Sequence, residues 1–145
     1  MRASRGFSLI ELIVVLVIAG LAVGVAVPRL VGALGSQQYR AGLRDLVTLL
    51  RAARARAASE HQPAAVWIDV EGKRFGRDGG GKSWRLPEGT EIELKTIAEQ
   101  VVSERIAKIR FFPDGTSSGA ELTTLYRGQP FRLDVSWITG RIRLQ

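Results

Sequence analysis

One carboxylate stands out in this 145-residue chain: Glu11, set near the start of an apolar run that continues from Leu12 to Val27. An ionised side chain in lipid costs on the order of 2.5–3.5 kcal/mol at mid-bilayer, so Glu11 calls for a partner. Other candidate chemistries are weaker. Gly76–Ser83 satisfies the phosphate-loop pattern G-x-x-x-x-G-K-[ST], but Trp84-Arg85-Leu86-Pro87-Glu88-Gly89 follows where a helix is required, and the segment reads as a hairpin loop. His61 is the single histidine and has no second ligand at metal spacing, so no metal site is expected. Asp114 and Glu121 are the nearest thing to an acid–base pair, and nothing lifts either above ordinary turn carboxylates. With no cysteine, thiol catalysis is out. The chain is therefore expected to be no enzyme, with no cofactor and no small-molecule substrate.

The elements that must position Glu11 follow from hydropathy. Phe7 to Val27 makes a helix of roughly 32 Å, enough to span the hydrocarbon core. Gly20 and Gly24 form a small-xxx-small pair suited to helix–helix packing. Arg2 and Arg5 precede the run and favour a cytoplasmic N-terminus, placing the remainder outside the inner membrane. A cleavable secretory signal is the competing reading, because Gly24-Val25-Ala26 has small residues; Glu11 within the run and Pro28 just past such a cut argue against it.

Pro28, Gly32 and Gly35 predict a weakened or locally unwound helix, with Pro28 as the break. Beyond them Tyr39, Leu43, Leu46, Val47, Leu50, Ala53 and Ala57 recur at steps of three and four, the stripe of an amphipathic helix ending near Glu60. Arg40, Arg44, Arg51, Arg54 and Arg56 take its other faces.

From Ala64 the period becomes two. Val66, Ile68 and Val70 alternate with Trp67 and Asp69; Ile109 and Phe111 with Lys108 and Arg110; Phe131, Leu133, Val135 and Trp137 with polar residues. Ile142 and Leu144 are expected to face inward, leaving Arg141 and Arg143 on the open face. Glycine-containing turns separate the runs, while Thr96 to Arg105 fits a loop or a helical turn equally well. The expected fold is α+β: a long N-terminal helix, half membrane and half amphipathic, packed on a small C-terminal antiparallel β-sandwich. The boundaries read as 1–6 leader, 7–27 membrane helix, 28–62 amphipathic helix and 63–145 β-sheet domain.

The basic leader, the Gly6-Phe7 junction, Glu11 and the apolar run, in that order, resemble the N-terminus of type IV prepilins and type II secretion pseudopilins. The resemblance implies cleavage by a prepilin peptidase after Gly6 and methylation of the new N-terminal Phe7. The net charge of +7 would then fall to +5 with the loss of Arg2 and Arg5. It also implies that Glu11 pairs with the N-terminal amine of a neighbouring subunit during assembly. Further on, Ile109-Arg110-Phe111-Phe112-Pro113-Asp114-Gly115 and Leu133-Asp134-Val135-Ser136-Trp137-Ile138-Thr139-Gly140 resemble minor pseudopilin H of type II secretion. That family implies a structural subunit near the tip of a periplasmic pseudopilus. Its partners would be other minor pseudopilins and the major pseudopilin, and it holds no metal. Gly140-Arg141-Ile142-Arg143 also resembles the GRxR element of DNA-binding minor pilins. Phosphate contacts by Arg141 and Arg143 are thus the alternative, in a type IV pilus or DNA-uptake system.

Overall fold

The computed structural model describes the backbone of residues 8–95, 101–103 and 105–145, and the side-chain surroundings of these apart from 23–33 and 101–103. Two compact units emerge, Met1–Gly35 and Ser36–Gln145. The first helix, α1 (Leu9–Glu60), contributes to both.

Within the first unit, α1 starts just after Ser8, whose carbonyl accepts from the amides of Glu11 (3.0 Å) and Leu12 (3.2 Å). The break expected at Pro28 is not seen, because helical structure is assigned without interruption through Pro28, Gly32 and Gly35. A proline removes a single N–H donor and need not unwind the turns around it, a tolerance familiar from membrane helices.

Within the second unit, the helical stripe is buried as its spacing requires. Tyr39, Leu43, Leu46, Val47, Leu50, Ala53 and Ala57 all join the core, and Leu49 adds to them. Each fully buried large apolar side chain stabilises by roughly 1.5–3 kcal/mol over an exposed one. His61 ends the helix with φ 52°, the left-handed conformation of a helix C-terminus.

Among the described residues nine strands follow: β1 (Ala64–Asp69), β2 (Arg74–Arg77), β3 (Ser83–Arg85), β4 (Glu91–Lys95), β5 (Val101–Ser103), β6 (Ile106–Phe111), β7 (Ala120–Tyr126), β8 (Gln129–Val135) and β9 (Ile142–Leu144). They form two antiparallel sheets, ordered β3-β2-β1-β6-β5 and β4-β7-β8-β9. The helix stripe, Val66, Ile68, Phe75, Ile109 and Phe111 of the first sheet, and Leu122, Leu133 and Val135 of the second, share one core. The expectation of a helix on antiparallel sheets is met.

Four local readings need correction. Val101–Ser103 is a strand paired to β6 through an irregular register, not a loop or helical turn. Asp69, expected on the open face, is 8% exposed because it is held by Arg105 and the Gly72 amide. Trp137 is 57% exposed, since β8 stops at Val135 and the chain turns through Ser136 N–H to Arg141 C=O (2.9 Å). Leu144 keeps the inward direction of its strand face but is 51% exposed, because β9 is the last strand of its sheet among the described residues.

Candidate functional site

Glu11 falls in the first turn of α1. The first amides of a helix have no intrahelical acceptor, and the helix dipole favours negative charge there. The Ser8-x-x-Glu11 spacing also matches a capping box, a local signal the reading from lipid cost alone passed over. Glu11 is exposed. Around it Leu9, Ile10, Leu12, Ile13, Val14 and Val15 are each at least half exposed, and so are Leu16, Val17, Ile18 and Leu21. A helix apolar on all sides and uncovered on all sides needs lipid or other helices around it. Among the described residues no helix is long and apolar enough to cross a membrane. The expected span runs on to Val27, past the point where side chains are described. Gly20 has nothing within 4 Å of where a Cβ would lie, which leaves that face open to a neighbour. Gly6 and Phe7 lie outside the described residues, as do the surroundings of Gly24 and Pro28.

The other candidates resolve into structure. Residues 78–82 connect β2 to β3 as a hairpin, with Gly79, Gly80 and Gly81 at φ of 93–108°, so the phosphate-loop match is a turn without a helix. Asp114 accepts from the Thr116 amide (2.9 Å) and hydroxyl (2.7 Å), an Asx turn that holds its carboxyl below the usual range. Glu121 sits near the start of β7 on its open face, so the two carboxylates serve different elements. Among the described residues no cluster of His, Asp and Glu could hold a metal.

Two polar contacts shape the second unit. The Arg105 guanidinium donates to both Asp69 oxygens (3.1 and 3.3 Å), and the Gly72 amide donates to Oδ1 at 2.7 Å. The guanidinium and then the amide hold the Asp69 carboxyl below its ordinary value. In the core, the Tyr39 hydroxyl and Thr124 Oγ1 share a hydrogen bond of 2.6 Å, and burial pushes the phenol up.

Arg141 and Arg143 are exposed at the end of the second sheet. With Arg51 and Arg54 of α1 they line a hollow of about 560 Å³ that has no acidic residue in its wall. Arg54 also donates to Thr139 C=O (3.0 Å), tying the turn before β9 to the helix.

A model of the prokaryotic N-terminal methylation motif matches residues 1–27, and a model of type II transport protein GspH matches residues 43–140. The chain belongs to the GspH family. A GspH-family relative, type II secretion system protein H of Xanthomonas campestris pv. campestris, is 32% identical over 143 residues, which is 98% of this chain and 83% of that one. Two solved structures share the GspH fold at low identity. The minor pseudopilin EpsH of Vibrio cholerae has a TM-score of 0.56 at 17% identity, over 74% of this chain and 96% of that one. The type IV minor pilin FimU of Pseudomonas aeruginosa has 0.55 at 16%, over 76% and 90%. Both parts of the resemblance therefore hold: the prepilin-type N-terminus and the H-type domain. The GspH assignment goes to type II secretion, away from the DNA-uptake alternative.

Proposed function

We propose that this GspH-family chain is a minor pseudopilin, a structural subunit near the tip of a type II secretion pseudopilus, and that its work is mechanical. Prepilin peptidase cuts after Gly6 and Phe7 becomes the N-methylated terminus. Residues 7–27 hold the subunit in the inner membrane as a single span, with the domain from Ser36 onward in the periplasm. Assembly exchanges lipid around the apolar helix for neighbouring helices, including contact at Gly20 and Gly24. Glu11 sets the register by pairing with a neighbour's terminal amine. Its partners are other minor pseudopilins and the major pseudopilin, and addition of subunits below the tip moves folded proteins toward the outer membrane.

The observation that carries this reading is an acid in the first turn of a helix whose described side chains from Leu9 to Leu21 are uncovered all round. Such a helix leaves both its apolar surface and its carboxylate to be satisfied by other molecules. Glu11→Ala tests it. The chain should remain folded from Ser36 onward and still be processed to Phe7 by mass spectrometry, yet fail to enter filaments and to support secretion. Filament entry and secretion at the wild-type level would refute it, as would mature protein beginning at Met1 or Val27.

A further inference from the structure

Between α1 and β9 lies a trough walled by arginine. Arg40, Arg44 and Arg51 recur at steps of four and seven, so they share one stripe of the helix, and Arg54 lies within a quarter-turn of it. Arg141 and Arg143 form the other wall. All six side chains are exposed. Arg51, Arg54, Arg141 and Arg143 line the hollow of about 560 Å³, while Arg40, Arg44 and Arg51 line a neighbouring one of about 480 Å³. Arg51 borders both, which makes them one continuous groove.

None of the six arginines forms an ion pair among the described residues. Asp45, next to Arg44, and Asp134, opposite Arg143 in register, line neither hollow. Arg54 donates to Thr139 C=O, a neutral acceptor that leaves its charge unanswered. Gathering cations without a counter-charge raises the energy of the folded unit, and an incoming carboxylate relieves it. The floor is apolar, with Leu43, Val47, Phe131 and Leu144 in one hollow and Ile142 in the other. Cations on the walls and hydrocarbon below suit a polypeptide that carries both acids and apolar side chains. A nucleic-acid strand would find one aromatic ring in this lining, Phe131, where successive bases need several.

We propose that this trough receives an extended acidic segment of a different pseudopilin subunit, its carboxylates on the arginines and its apolar side chains on the floor. From Arg40 to Arg54 the helix rises about 21 Å at ~1.5 Å per residue, a length that about six extended residues cover. A second copy of this chain is a poor occupant, because it brings a net charge of +7 and the same arginines. That the partner is a pseudopilin rests on the function proposed above, whereas the chemistry of the occupant rests on the trough alone.

Fluorescence anisotropy of the full-length chain in detergent tests the trough. The probe is a fluorescein-labelled peptide of about seven residues that alternates glutamate and leucine. It should bind, and more weakly as salt rises, while a lysine–leucine peptide should not bind. Arg51→Gln with Arg143→Gln takes one cation from each wall and should weaken binding about tenfold. Arg77→Gln with Arg110→Gln removes the same charge from outside the trough and should leave the affinity unchanged. No binding of the glutamate peptide, or equal loss in the two double variants, overturns the proposal. So does tighter binding of a labelled oligothymidine that is lost in the first variant, which would give these arginines to phosphates. The pseudopilins recovered with the tagged chain from membranes should also fall in the first variant and hold in the second; equal recovery overturns the assignment to a pseudopilin partner. Glu11→Ala should bind the peptide as wild type does, so failure of the Glu11 reading and failure of the trough are told apart.

Discussion

Replacing Tyr39 by Phe probes how α1 is fixed to the second sheet. The hydroxyl shares a 2.6 Å hydrogen bond with Thr124 Oγ1, while Gln129 C=O lies 3.4 Å from the same hydroxyl and adds little. Thr124 is 1% exposed, so once the phenol is gone its hydroxyl has no water to turn to. Leaving a buried polar group unpaired costs about 1–3 kcal/mol, and the Tyr39–Tyr126 stack at 5.2 Å can survive the change. Tyr39→Phe should therefore destabilise the Ser36–Gln145 unit by about 1.5 kcal/mol, or about 6 °C in Tm for a domain of this size. Thr124→Val should cost a similar amount, because it strands the phenol in turn. The double variant removes donor and acceptor together and should cost no more than either single change, giving a coupling of about 1–2 kcal/mol. Urea denaturation of the four proteins, followed by tryptophan fluorescence, measures all the terms. Additive single effects, or a Tyr39→Phe protein as stable as wild type, would refute the assignment of this bond as the tie between helix and sheet.

Gly76→Ala should destabilise by about 1–3 kcal/mol, since the new Cβ would meet the Trp67 ring at 2.7 Å, and thermal unfolding reads the loss. The Asp69 carboxyl titrates below its unfolded value, so its contribution is complete above about pH 4 and disappears as pH falls through the lowered native value. Thermal scans from neutral to acid pH should show a steeper loss in wild type than in Asp69→Asn. Because the Arg105 side chain is 55% exposed, water screens the pair and the gap between the two at neutral pH should be small.

Much of this molecule is legible in the chain itself. The stripe from Tyr39 to Ala57 is buried as its spacing demands, and Ile109, Phe111, Leu133 and Val135 all enter the core. The N-terminal pattern is equally direct, because a basic leader, a Gly-Phe junction and one acid in an apolar run are all local in sequence. Val101–Ser103 was not legible. It forms a strand through partnership with β6 rather than through any alternation of its own.

Local order therefore determined most of the elements, most of their inner faces and the family, because helical and strand periods are set by nearest neighbours along the chain. Only the tertiary structure decided which elements meet. It buried Asp69 against Arg105 across 36 residues and left Trp137 in solvent where β8 stops. It also made β4 and β9 the two rims of one sheet. Strand neighbours are chosen by the summed burial and hydrogen bonding of the whole domain, a quantity that no window of a dozen residues contains.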